Sequence, residues 1–473
     1  MSERLPKIGL FAAAIILIPL LAYMAYTSPA LLSSQSLLGG MIAFELLLAA
    51  LWMYRRVFFA LVLLAFLFAG TDVPLSGFWT MGRWVFLIAG ALVGCFIMLK
   101  ERRGRFTLFH ALAVFAVMSA FVSAAVSRYP GFALLKAVSL LMLFLYAGTG
   151  ARLAMAGREH RFFSGLLLGC EIMVAALGVS YFLGREVMGN PNSLGAVTAV
   201  LAPILLWGTL IDPTPMIRHR RLLLYGLCMY MLFLSHSRAS LLAGFISCAL
   251  LCLALRKYKL FGQGVVVLLI LVTSAVIFKP DAFSALVSSL TSSIVYKDKD
   301  PALGVFGSRQ EPWRAATDSI RKHLWFGSGF GTTDTGQDAS AHLGKYSTNS
   351  DSTSENGSSY LTIVSWVGVA GVVPFVFVLL SLLNKVLRTL FWMFRTESPF
   401  HPAVPVAMVM VAGLIHAVFE DWLFAPGYYL CVFFWSLAFV FVDIAPWAPL
   451  PHFGVSWRPW QMRQSISSAA PSR

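Results

Sequence analysis

The amino-acid sequence predicts an all-α protein: a polytopic bundle of transmembrane helices with one large polar loop on one side. Three observations carry that prediction. Of the 473 residues, 58% are hydrophobic and 12% charged, whereas a soluble domain carries about 25% charged residues. With a mean hydropathy of +0.77, the chain has too little polar surface to coat itself in water. Apolar runs of about 17–25 residues, long enough to cross a hydrocarbon core of about 30 Å, recur along the chain. One long polar stretch, from about Lys279 to Gly357, interrupts them.

Backbone groups in lipid must bond within their own segment, so each run reads as a helix. Spans are expected near 8–26, 37–54, 57–71, 84–99, 106–125, 132–150, 162–183, 191–211, 221–235, 239–255, 260–278, 359–383, 402–420 and 427–444, about 12–14 in all. The run 57–71 is short enough to be re-entrant. The first run, from about Ile8 to Tyr26, is too long for a signal-peptide core and lacks a small-residue cleavage site, so it reads as a span. Four regions result: a transmembrane region over 1–278 with about 11 spans, a loop over 279–357, a transmembrane region over 358–445 with about 3 spans, and a tail over 446–473.

Charge sets the expected orientation. With the N-terminus in the cytoplasm and the spans alternating, one side receives 23 of the 36 Lys and Arg, including Arg55, Arg56, Arg102, Arg103, Arg152, Arg158, Arg220, Arg221, Arg256 and Arg388. The short connections on the other side receive one each: Arg83, Arg128, Arg185 and Arg238. Excess basic residues stay on the cytoplasmic side, so both termini are expected there. The formal net charge of +15 is then a topogenic signal, and nucleic-acid binding is an unnecessary hypothesis. The polar loop falls on the outer face. It holds eight basic and nine acidic residues and is expected to be helical near 281–294 and 311–323. Ordered loops of such length are usually functional.

The six cysteines all lie in apolar runs. They read as small core residues, with no disulfide and no metal site expected. The ionisable residues inside spans, Glu45, Lys136, Glu171 and His416, need partners. Lys136 with Glu171 is one possible pair.

Four polar stretches on the expected outer face carry the chemistry. The first runs from Gly184-Arg185 through Asn190-Pro191-Asn192-Ser193-Leu194-Gly195. An arginine ends one span, and an Asn-Pro-Asn turn starts the next, where a helix N-terminus favours anions. The second is Ser235-His236-Ser237-Arg238-Ala239-Ser240, a polar break between two apolar runs. The third holds Arg309, Trp313 and Arg314, followed by Trp325-Phe326-Gly327-Ser328-Gly329-Phe330-Gly331. There the glycines permit close backbone approach to a ligand, and the aromatics offer faces for sugars. The fourth is Glu355-Asn356-Gly357-Ser358-Ser359-Tyr360 before the next span. Each also has a plainer reading: a capped hairpin, a tight turn, a surface amphipathic helix, a helix cap. Together, several arginines and one carboxylate at a membrane surface suit a lipid-linked diphosphate. Guanidinium forks grip phosphate oxygens, and a carboxylate base takes the proton of an attacking sugar hydroxyl.

These stretches, in this order, resemble the O-antigen ligase and O-antigen/exopolysaccharide polymerase family. The resemblance rests on Arg185 to Asn192, Ser237-Arg238, Arg309 or Arg314 with Trp313, Gly327 to Gly331, and Ser359-Tyr360-Leu361 followed by Gly368 and Gly371. His416, Glu420, Trp422 and Trp435 also look familial. The similarity runs over about residues 180–440. Ligases of the family typically carry a His-Asn pair where this chain reads Glu355-Asn356, a variant similar to exopolysaccharide members.

The resemblance implies a GT-C-like bundle in a bacterial inner membrane with its large loop in the periplasm. It implies Glu355 as the catalytic base, with His342 and His236 as substitutes. Arg185, Arg238, Arg309 and Arg314 would bind the donor diphosphate, with Asn192 and Trp313 as secondary candidates. No cofactor or metal is implied. The implied partners are an undecaprenyl-diphosphate-linked glycan, a growing polysaccharide or other glycan acceptor, and membrane lipid. The expected activity is polymerisation of lipid-linked repeats, with ligation to a lipid or protein acceptor as the alternative. A lipid-linked glycan flippase is the reading of another class. It would show two related halves, which the sequence lacks.

Overall fold

The computed structural model describes residues 47–71, 76–101, 106–185, 187–264, 307–332 and 357–446, with 266 and 273 as isolated positions. The spans expected at 8–26, most of those at 37–54 and 260–278, the helix near 281–294 and the tail lie outside these residues. So does Glu45.

Among the described residues the chain is helical and contains no strand. The helices are α1 (Tyr54–Ala69), α2 (Ser76–Glu101), α3 (Leu108–Ala125), α4 (Pro130–Tyr146), α5 (Glu159–Phe182), α6 (Pro191–Ile211), α7 (Pro215–Leu234), α8 (Arg238–Ala254), α9 (Gly307–Lys322), α10 (Ser359–Thr396), α11 (Ala403–His416) and α12 (Tyr429–Ile444). A π turn at Ala147–Ala151 carries α4 on to Met155. Three helices start with proline at the first position, where no amide bond is lost and φ is already helical. At α6, Asn190 Oδ1 accepts from the Asn192 amide at 2.8 Å, so the Asn-Pro-Asn turn is a helix cap.

Six of these helices are long and apolar enough to cross a membrane: α2, α3, α4 with its extension, α5, α6 and α10. Large apolar side chains such as Phe115, Met118 and Val122 on α3 and Phe377 and Phe391 on α10 are exposed. Water would not tolerate a surface of that kind, but a hydrocarbon phase does. The chain is an all-α polytopic membrane protein. Helix α6 forms the centre, followed by α11 and α12, which are buried on nearly all sides. The short α11 and α12 are screened from lipid by their neighbours, so they need not reach across the core alone.

The expected span 359–383 is different in the structure. Helix α10 runs to Thr396, and it breaks at Gly368 (φ 70, ψ 180). A break inside a membrane frees backbone groups that must find partners. Serines one turn apart on α3 supply them: Ser123 Oγ donates to Trp366 O at 2.6 Å and Ser119 Oγ to Gly371 O at 2.6 Å. The Leu324–Gly329 segment supplies others. Ser328 N donates to Ser365 O at 2.9 Å and Gly329 N to Trp366 O at 3.1 Å, while Val369 N donates to Leu324 O at 2.8 Å.

The expected pairing of Lys136 with Glu171 is corrected. Glu171 pairs with Arg220 at 2.7 Å and Arg221 at 2.8 Å, and Lys136 lies over the Phe132 ring and beside Gly331. One carboxylate oxygen of Glu171 goes to Arg220 and the other to Arg221.

Candidate active site

The starts of α6, α8, α9 and α10 and the end of α11 meet at one end of the bundle, called here the loop face. Helix starts present unbonded amides and a positive dipole end. The tight turn between α7 and α8 puts His236 in the left-handed region (φ 49). Gly195 on α6 packs so closely on this turn that a Cβ there would stand 2.6 Å from Ser235 Oγ and 2.7 Å from Ser240 Oγ. The first two polar stretches of the sequence are therefore neighbours in space.

Arg238 opens α8 and is half-buried. The charge of Arg309, near the start of α9, reaches it. Arg309 forms an ion pair with Glu420, and each side chain is 12% exposed. Gly357, at the entry to α10, lies against the Arg309 guanidinium: a Cβ there would stand 3.4 Å from Nη1. Trp313 Nε1 donates to Gly357 O at 3.2 Å. Thus the third and fourth stretches join the first two around one arginine pair. The two guanidinium charges act on each other, and like charges in one site favour an anion beside them.

The turn after α11 holds the group together. Glu420 O accepts from Ser359 N at 3.0 Å and from Ser359 Oγ at 2.6 Å, and Leu423 N donates to Ser359 Oγ at 3.0 Å. His416, 1% exposed, touches Ser240 Oγ through Nε2 at 3.0 Å. Its Nδ1 accepts from Trp422 Nε1 at 2.8 Å. Ser240 Oγ donates onward to Ser237 Oγ at 2.8 Å.

Of the residues expected in the site, the structure brings together Arg238, Arg309 and Trp313. Arg314 is exposed and, five residues beyond Arg309, projects about 140° around the helix from it. Arg185 is exposed beyond α5, and no hydrogen bond or ion pair among the described residues joins it to the cluster. Asn192 is half-buried in the cap of α6, and His236 is exposed on its turn. Glu355 and His342 lie outside the described residues.

The glycine-rich stretch is corrected. Gly327 (φ 72) and Gly368 (φ 70) dock backbone to backbone. A Cβ on Gly327 would overlap the Trp366 carbonyl, and one on Gly368 would overlap that of Trp325. The close approach these glycines permit is to another segment of this chain, with Phe330 wholly buried beneath. Trp325 and Phe326 remain exposed.

Sequence reading left Glu420 and His416 without a role, although both were noted. The available signal was a carboxylate and an intramembrane histidine flanking Trp422 between two apolar runs.

Residues 223–376 match a family model described as O-antigen ligase. No curated protein matches the chain. The matched stretch contains Arg238, Arg309, Trp313, Gly357 and the Gly368 break. The resemblance to the O-antigen ligase and polymerase family is borne out. Glu420 and His416 lie beyond the matched stretch.

Proposed function

We propose that this chain, whose residues 223–376 match an O-antigen ligase family model, is a membrane glycosyltransferase that joins undecaprenyl-diphosphate-linked repeats into O-antigen or exopolysaccharide. The observation that carries this reading is the pair Arg238 and Arg309, with Glu420, at the junction of four helix starts. Two planar cations whose charges repel are suited to a diphosphate, whose oxygens they grip as forks. Loop 279–357 and the Ser359 end of α10 form the reaction face, which is periplasmic in this reading.

The acceptor hydroxyl oxygen attacks the anomeric carbon of the lipid-linked donor. The bond from that carbon to the diphosphate oxygen breaks, and its electron pair leaves with the diphosphate. Arg238 and Arg309 stabilise the charge that develops there. The hydroxyl proton passes to the carboxylate of Glu355. Glu355 precedes Gly357, which lies against Arg309, by two residues in the sequence. The pairing with Arg309 occupies Glu420 in the resting protein. Guanidinium groups supply the positive charge, so no divalent metal is required. Exposed Trp325 and Phe326 offer aromatic faces to the sugars. Glu355-Asn356, in place of the His-Asn of ligases, favours polymerisation.

The test is incubation of the purified protein with a lipid-linked repeat unit, with and without a strong chelator, read on a gel. A ladder that survives chelation is expected. One shifted acceptor band would mean ligation, and no product would favour transport. Loss on chelation that Mg²⁺ or Mn²⁺ restores would contradict the arginine mechanism.

A further inference from the structure

We infer that His416 is a positioning residue for the arginine pair, a neutral imidazole locked by Trp422 that ties the turn of Arg238 to the loop of Glu420. The inference rests on the reading of that pair as the donor site.

An indole nitrogen only donates, so His416 Nδ1, 2.8 Å from Trp422 Nε1, must be the unprotonated nitrogen. The neutral ring then carries its proton on Nε2 and donates to Ser240 Oγ at 3.0 Å. Ser240 in turn donates to Ser237 Oγ at 2.8 Å. The direction of every bond follows from the first donor. The chain of bonds ends on the N-cap of α8, the residue before Arg238.

The same short loop reaches the second arginine. Glu420, four residues after His416, pairs with Arg309, and its backbone oxygen accepts from Ser359. One loop therefore sets both guanidinium positions, with the His416–Ser240 bond as its link to α8. Gly195 closes the other side of the serines, leaving no space for them to shift. Ionisable groups on the surrounding elements are Arg238, Cys248 and Cys252 of α8, Arg309 of α9, Tyr360 of α10, Glu420 and Asp421 of the loop, and Tyr429 and Cys431 of α12. The Arg309 charge reaches the ring. A protonated His416 would face the indole N–H with a second N–H and would stand beside a cation.

The test uses the full-length protein in membranes, with a lipid-linked repeat as donor. His416→Gln retains an amide donor near the Nε2 position and is expected to hold the donor KM within about threefold. His416→Phe keeps a ring without the donor and is expected to raise donor KM about tenfold, with kcat changed less. Trp422→Phe removes the lock and is expected to raise donor KM several-fold with kcat changed less. Should His416→Phe fail to insert, the donor KM of Trp422→Phe decides. Donor KM equal to wild type in His416→Phe, or in Trp422→Phe where His416→Phe does not insert, would overturn the inference. Arg238→Ala separates the two claims: raised KM there with no effect at His416 sinks only the positioning role. Unchanged KM in Arg238→Ala sinks the donor-site reading, and the inference falls with it.

Discussion

The two ends of the bundle use the same residue types differently. At the end opposite the loop, arginines meet carboxylates from other helices. Arg55 pairs with Glu101, Arg152 grips Asp443 through two bonds at 2.6 and 2.8 Å, Arg221 bridges Glu171 and Asp212, and Arg256 reaches Glu397 at 2.7 Å. Each pair ties one helix or helix end to another. On the loop face, Arg309 pairs with Glu420, and the charges of Arg238 and Arg309 act on each other. Their supports are a tight turn, a short polar helix and a helix broken at Gly368. Charge at one end closes the structure, while in the proposed function charge at the other end receives the diphosphate.

The largest effect is expected at the proposed base. Glu355→Gln keeps shape and hydrogen bonding but removes the proton acceptor, so turnover should fall about 10²–10⁴-fold with donor binding unchanged. Turnover near wild type would make Glu355 a helix cap and His342 the next base to test.

A replacement at the opposite end should reverse this pattern. Arg152→Ala leaves Asp443 without its partner and should destabilise the protein by up to about 3 kcal/mol, below the full range for a buried pair, because Asp443 is 25% exposed. Activity per correctly inserted molecule should stay near wild type. A loss of turnover without a loss of thermal stability would erase the distinction between the two ends.

The smallest effect concerns pH. His401, between α10 and α11, is pushed down to about 4 by burial, and its Nδ1 accepts from Ala403 N at 3.1 Å. The unfolded chain takes up the proton first, so His401 costs stability as pH falls below about 6.5. The cost grows until the folded ring is protonated too, near 4. The melting temperature should decline over that window, and His401→Asn should flatten the decline. An identical slope in the variant would show that other groups carry it.

Much of the fold was legible because lipid imposes length and apolarity on each span separately. The expected spans at 106–125 and 191–211 coincide with α3 and α6 almost residue for residue. The break in α10 was not legible, since a glycine in an apolar run reads as ordinary helix until Ser119, Ser123 and Gly329 are seen to take up its free groups. Sequence could say that Glu171 needed a cation but not which one. Helix α7 begins six residues before the expected span, bringing Arg220 and Arg221 within reach. At the candidate site, the sequence singled out Arg309 and Trp313, which both meet Gly357, and Arg238, which the charge of Arg309 reaches. The glycine-rich stretch was not legible, because close backbone approach looks the same in sequence whether the partner is a ligand or another helix.

The most direct test of the comparison is the affinity of an undecaprenyl-diphosphate lipid for three full-length proteins: wild type, Arg238→Lys and Arg256→Lys. Lysine keeps the charge but loses the planar fork. Arg238→Lys should bind at least about tenfold more weakly, the scale of one lost charge-assisted hydrogen bond. Arg256→Lys, in an ion pair at the opposite end, should bind as wild type does. Equal affinities in all three, or a loss confined to Arg256→Lys, would contradict the assignment of the diphosphate to the loop face.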